Sequence, residues 1–218
     1  MCSSDLTAQT APVRAAAPTS LISEQASTEL GAVLNASWQS IPQALSHRDK
    51  GWGLGHSDIS LDATLSPALL AKFSAVAHSD HHRVASHIEE AFLEAPGLAG
   101  GLQLRGGRFL SQIGYLNEQH PHSDDFVMRP LLHRAFLGGH YHDNGVRLNW
   151  IAPTALYWRL GAEVFEGKSL ASSSNAGRAG AFTLSSRWRG DLGRSSSWQA
   201  GLSTLRHRRS EEHTSELQ

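Results

Sequence analysis

Between His56 and Ser66 the chain alternates without a slip. Ile59, Leu61, Ala63 and Leu65 take one side, and Asp58, Ser60, Asp62 and Thr64 take the other. A repeat of two is that of an extended strand, whose successive side chains point to opposite faces. Ser66–Pro67 breaks the run as a tight turn would, and Leu69 to His78 resumes it with Leu69, Ala71, Phe73, Ala75 and Ala77 on one side. The two runs read as a hairpin.

The same writing recurs along the chain. Leu30, Ala32, Leu34, Ala36 and Trp38 alternate with polar residues, and Ser40 to Gly51 reads as a polar connection. Leu102 to Ile113 is strand-like with Gly106 and Gly107 inside it, and interior glycines mark bulges or close backbone approach. Val146–Ile151, Leu156–Val164, Phe182–Trp188 and a run holding Trp198, Ala200 and Leu202 follow. From Arg83 to Ala95 the apolar residues Val84, Ile88, Ala91, Phe92 and Ala95 fit a helical face as well as a strand, and the neighbouring runs favour strand. The fold class expected is therefore all-β: an antiparallel meander of about nine strands, each of the ~9–11 residues that cross a bilayer at a tilt. Five of the six tryptophans (Trp38, Trp150, Trp158, Trp188, Trp198) fall in or at the ends of these runs, as interface belts require. A soluble β-sandwich also alternates, and pattern alone leaves both open.

The two ends read as foreign. Arg209–Gln218, RSEEHTSELQ, is what a common sequencing adapter gives when translated, and Met1–Leu6 matches its reverse complement. Removing them takes Asp5, Glu211, Glu212 and Glu216 from 20 acids and Arg209 from 19 bases, so the net charge becomes +2 instead of -1. That near-neutral balance gives no nucleic-acid footprint. Cys2 goes as well, leaving neither a disulfide scaffold nor a thiolate metal site. No apolar run reaches the 18 residues of a membrane helix. Residues 7–27, rich in Ala, Thr, Ser and Pro, read as a disordered linker, and 28–208 as a β domain with a long loop at 114–143.

The run LRGGRFLSQIGYLNEQHPHSDDFVMRPLLHRAFLGGHYHDNGVRLNWIAPT, Leu104 to Thr154, resembles a family of Gram-negative outer-membrane proteins related to phosphate-selective porins. Relatives carry a strand of the form aGRFxxxiGy, an HPH-containing loop, then DdGVrLxWlaPt. Some are labelled zinc-regulated, TonB-dependent outer-membrane receptors. The similarity runs from about Ile59 to Gly167. It implies a transmembrane β-barrel porin in the bacterial outer membrane, in contact with outer-membrane lipid, often a homotrimer, with the loop after RGGRF folded into the lumen. With the adapter-like ends set aside, neither native end is expected in this chain: it reads as a fragment without its signal peptide, whose sheet is curved and unclosed. Neither a plug domain nor a TonB box is seen, which favours a passive pore for small, anionic solutes over a receptor.

Arg105, Arg108, Arg129, Arg134, Arg147 and Arg159 gather around the central loop. Rings of Arg in a pore select anions. Arg147 and Asn149 share the side opposite Val146, Leu148 and Trp150, so they face the lumen if the latter face lipid; Arg159 and Glu163 follow the same logic. Arginines paired with acids across strands would look the same. His120, His122, His140 and His142, with Asp143, offer imidazole and carboxylate of the kind zinc takes, and each His pair projects to one side of an extended segment. Their spacing matches no closed tetrahedral motif, and solvated loop histidines are the other reading. His78, His81 and His82 form a second cluster at a turn. Glu89–Glu90 and Asp124–Asp125 are adjacent, but neighbours on a strand point to opposite faces, so neither is read as an acid/base pair. No GxSxG, Walker loop, dinucleotide fingerprint or HExxH is present, and no enzyme is expected. Three functions stand: a porin-like channel, a zinc-linked TonB-dependent receptor, and a soluble β-sheet binding module.

Overall fold

A computed structural model describes residues 26–41, 50–80, 83–125, 128–170 and 180–207. Both segments read as adapter, and residues 7–25 of the linker, lie outside these. The strands are β1 (Ser27–Val33), β2 (Ala36–Gln39), β3 (Gly51–Leu54), β4 (Ser57–Ser66), β5 (Leu69–Asp80), β6 (Arg83–Leu98), β7 (Leu102–Leu110), β8 (His142–Ile151), β9 (Tyr157–Phe165), β10 (Ala181–Leu192) and β11 (Ser196–His207). Nine of them form one antiparallel sheet in the order β1-β4-β5-β6-β7-β8-β9-β10-β11, which is not closed. The protein is thus an all-β antiparallel meander. The ambiguous segment from Arg83 is strand. The run from Leu30 to Trp38 is not one strand: it breaks after Val33, and Ala36–Gln39 turns away to pair with Gly51–Leu54, setting Trp38 opposite Trp52.

The connections differ between the two ends of the sheet. At one end, two to five residues suffice between β4 and β5, β6 and β7, β8 and β9, and β10 and β11. At the other lie the β2–β3 insertion, segment 111–141, segment 166–180 and the two-residue connection between β5 and β6. Trp150, Trp158, Trp188 and Trp198 lie at the short-turn end, with Trp158 and Trp188 directly paired and the Trp150 and Trp158 rings 6.0 Å apart.

Polarity across the sheet is inverted relative to a water-soluble domain. On one face Ile59, Leu61, Phe73, Leu93, Leu104, Val146, Leu148, Leu160, Val164, Phe182 and Leu184 are exposed. The opposite face carries Asp58, Ser74, Glu89, Glu90, Arg147, Asn149, Glu163 and Thr183, all buried. Among the described residues fourteen buried side chains are polar or charged against eight hydrophobic ones, so burial here is not driven by apolar packing. The compact hydrophobic cluster is small: Phe109, Tyr141, Phe165, Leu170 and Ala181, with Phe92 and Leu137 against it.

Segment 111–141 crosses the polar face instead of leaving the sheet. Among its described residues are two single-turn 3-10 helices, Leu116–Glu118 and Pro121–Ser123, and one short α-helix, α1 (Leu131–Leu137), ended by Gly138 in the left-handed conformation (φ 62°), which glycine adopts without penalty. The segment is closed on itself by Asn117, fully buried, whose amide donates to the carbonyls of Ser111 (2.8 Å) and Tyr141 (2.9 Å) and accepts from the Tyr141 N–H (2.6 Å). Asn117→Ala takes this partner from the Ser111 carbonyl and the Tyr141 N–H in a dry place, while the Tyr141 carbonyl keeps the Ser111 N–H (2.9 Å), and a loss of about 2–4 kcal/mol is expected. Limited proteolysis within 111–141 checks this; unchanged cutting would show that the clamp is dispensable. Gly107, at φ 132°, permits the β6–β7 approach, since a Cβ there would meet the Ala91 carbonyl at 2.3 Å. That is the close contact the glycine pair predicts, and it belongs to Gly107 alone; Gly106 stands in open space.

Candidate functional site

The site forms where 111–141 meets β6. Ser74 pairs with Glu90 and Ala75 with Ile88, so Glu89 is the extra residue of a β-bulge. A bulge resets the alternation, and both glutamates are buried together with the polar face. The expectation that adjacent carboxylates here must point apart is therefore corrected. Glu89 is fully buried, and three imidazoles converge on it: His120 Nδ1 lies 2.6 Å from Oε2, His56 Nε2 3.3 Å from Oε2, and His140 Nε2 2.6 Å from Oε1. Glu90 takes the other His120 nitrogen, Nε2, at 3.1 Å and Lys72 Nζ at 3.3 Å. His122 Nδ1 lies 3.4 Å from Asp58 Oδ1.

The rings run on as a track. His56 has the His120, His122 and His140 ring centroids within 5.9 Å; His140 is followed by His142 at 5.1 Å, His87 at 5.5 Å beyond it and His78 at 5.6 Å further. Nitrogen and carboxylate ligand atoms lie within 4.8 Å of one another in two trios, His56–His120–His122 and His87–Glu89–His140.

Of the five residues expected to hold a metal, His120, His122 and His140 are brought together, and His142 stacks beside His140. Asp143 is turned away. It accepts from the backbone N–H of Asn144 (2.8 Å) and of Ser169 (3.3 Å), and so orders the next loop instead. Sequence reasoning missed His56, His87 and Glu89. The signal for Glu89 was present: outward apolar residues sit at even numbers (Val84, Ile88) before it and odd numbers (Ala91, Leu93, Ala95) after it, which made the segment look helical. In the second histidine cluster, His78 ends the ring track, and His81 and His82 lie outside the described residues.

The arginines are bound up with acids. Arg105 Nε donates to Glu94 (2.6 Å), Arg129 Nε to Asp124 (2.6 Å), Arg147 Nε to Glu163 (2.6 Å) and Arg159 Nη2 to Glu118 (2.8 Å). Glu118 also receives Arg187. Arg134 Nε donates to the Arg129 carbonyl at 3.1 Å. Arg108 has the sheet parity of the apolar face, and its Nε donates to the Ile88 carbonyl at 2.9 Å. Arg105 ties β7 to β6, Arg147 ties β8 to β9, Arg129 closes 111–141 on itself and Arg159 joins that segment to β9, so these four do not stand as an open ring of cations.

Burial by itself lowers the basicity of His120, but the Glu89 and Glu90 carboxylates against its two ring nitrogens outweigh it and hold the pKa up at about 9. Burial pushes His122 below its ordinary value despite Asp58, and His133 likewise with Arg129 adding to the effect. Because the His120 value is raised, the stabilisation it gives is complete below pH ~6.5 and is lost as pH climbs through about 9. In chelator-treated protein the urea midpoint is expected to fall across that interval. His120→Gln should flatten the profile, and a wild-type midpoint level to pH 10 would contradict it.

No family model matches the chain, and no solved structure does. Over 128 residues, 59% of its length, it is 36% identical to a protein of Aquifex aeolicus (strain VF5) that bears the description "Uncharacterized protein". The chain spans about a quarter of that relative, 26%.

Proposed function

We propose that the chain is a segment of an outer-membrane β-barrel channel for small hydrophilic solutes, with segment 111–141 lying in its lumen. One observation carries this reading: the sheet exposes its apolar face and buries its ionisable one. Water would favour the reverse, since apolar area gains about 25 cal/mol per Å² on leaving it. Lipid against Leu104, Leu148 and Leu184, and a wet interior against Glu89, Arg147 and Glu163, account for both faces together. The short turns throughout one end, the long segments confined to the other (where only β5–β6 is short) and the tryptophans near the short-turn end support the same reading. The 26% span of the relative fits a barrel completed by further strands. Since Arg105, Arg129, Arg147 and Arg159 are matched by acids, selection of anions by a bare arginine ring is not what the geometry favours.

The second reading, a zinc-linked receptor, draws support from the histidines around Glu89. Planar-bilayer recording on the purified protein tests the first. Stepwise currents support a pore, whereas a monodisperse, detergent-free protein that leaves the bilayer silent contradicts it and favours the soluble binding module.

A further inference from the structure

We infer that His56, His87, Glu89, His120, His122 and His140 form a binding centre for a divalent transition-metal ion, built between the β6 bulge and the infolded segment. The inference rests on the channel reading only in placing this centre along the solute's path.

The argument begins with Glu89. A fully buried carboxylate costs several kcal/mol unless it is paired, and one pairing would do. Here three imidazole nitrogens crowd its two oxygens at 2.6, 2.6 and 3.3 Å. Those contacts are short, yet Glu89 Oε1 and Oε2, His56 Nε2, His120 Nδ1 and His140 Nε2 are all buried without an aligned hydrogen-bond partner. Nitrogens and oxygens packed this closely without aligned hydrogen bonds are the arrangement of ligands around a cation. Mutual attraction of imidazolium and carboxylate explains it less well, because several imidazoliums around one carboxylate repel each other.

The donor set selects the class of ion. Imidazole with a carboxylate suits zinc, copper, nickel or iron(II), whereas calcium and magnesium take oxygen ligands. His120 adds the outer support such sites use. With Nε2 held by Glu90 at 3.1 Å, its Nδ1 is the nitrogen presented to the centre. The ligands come from both sides of a seam: His87 and Glu89 from β6, and His120, His122 and His140 from 111–141. An ion here would fasten the segment across the face, and the ring track to His142 and His78 extends from it.

Co2+ titration of the full chain, folded in detergent micelles and freed of metal by chelator, is the test, read by the visible absorption of the bound ion and its displacement by Zn2+. Wild type should give saturable ligand-field bands. His140→Ala and His56→Asn should each weaken binding at least tenfold, Glu90→Gln by ~10–100-fold through the outer support, and His133→Ala should leave binding unchanged. His122→Asn replaces any variant whose strand circular dichroism is lost. Absent bands, or equal affinity in wild type and both ligand variants, would overturn the centre. Micelle-folded protein without Co2+ bands sinks the centre and spares the channel; a detergent-free soluble chain that binds Co2+ does the reverse.

Discussion

Glu163→Ala should cost about 3–5 kcal/mol, the loss expected when a buried ion pair is broken from one side. Glu163 is 1% exposed and receives Arg147 Nε at 2.6 Å, Ser111 Oγ at 2.6 Å, the Gln112 N–H at 3.0 Å and the Thr183 hydroxyl. Arg147, itself buried, reaches beyond it to the Leu110 carbonyl, and its guanidinium carbon lies 4.6 Å from the centre of the Phe109 ring. Removing the acid strands the guanidinium and releases the point where 111–141 enters the polar face. Arg147→Met combined with Glu163→Leu removes both charges and should recover most of the loss, since a hydrophobic pair of similar volume replaces a buried ion pair at little cost. Denaturant unfolding of the single and the double variant in detergent decides it. A single variant within about 0.5 kcal/mol of wild type would mean that the pair is not structural.

Leu148→Arg is the second large effect, and its size depends on the solvent outside the sheet. Leu148 is 45% exposed, paired with Leu104 on one side and Ala162 on the other, midway along β8. Were that face in water, an arginine there would change stability by less than about 0.5 kcal/mol, like most surface substitutions. In lipid the same change should cost ~2–4 kcal/mol near the midplane. Leu202→Arg, on β11 at the sheet's edge, gives a second reading of the same face. Folding titrations in phosphatidylcholine vesicles measure both, and near-neutral results at the two positions would argue for water.

Much of this fold was legible because a two-residue period leaves few alternatives. Ile59 to Leu65 and Val146 to Trp150 show their faces in sequence, and the structure puts them as written. Assigning Arg147 to the side opposite Leu148 needed only parity. Three features did not follow from local pattern. The turning away of Trp38 toward Trp52 depends on pairing with a strand that begins twelve residues after Gln39, at the far end of what reads as a polar connection. The bulge at Glu89 is a one-residue insertion whose trace, a switch of parity, also resembles helical spacing. His56 lies 64 residues before His120, and only the order of β4 to β7, with 111–141 folded back, brings the two rings within 5.9 Å. Spacing along a loop predicted His142 and Asp143 as ligands; three-dimensional placement exchanges them for His56, His87 and Glu89.

The most direct test of the barrel reading is quenching of tryptophan fluorescence by lipids brominated along their acyl chains. The protein is diluted from urea into such vesicles while strand formation is followed by circular dichroism. Trp150, Trp158, Trp188 and Trp198 share the apolar face, so strand signal should appear with the vesicles and fluorescence should fall with it. Folding in buffer alone, with fluorescence indifferent to the brominated chains, would contradict a membrane sheet.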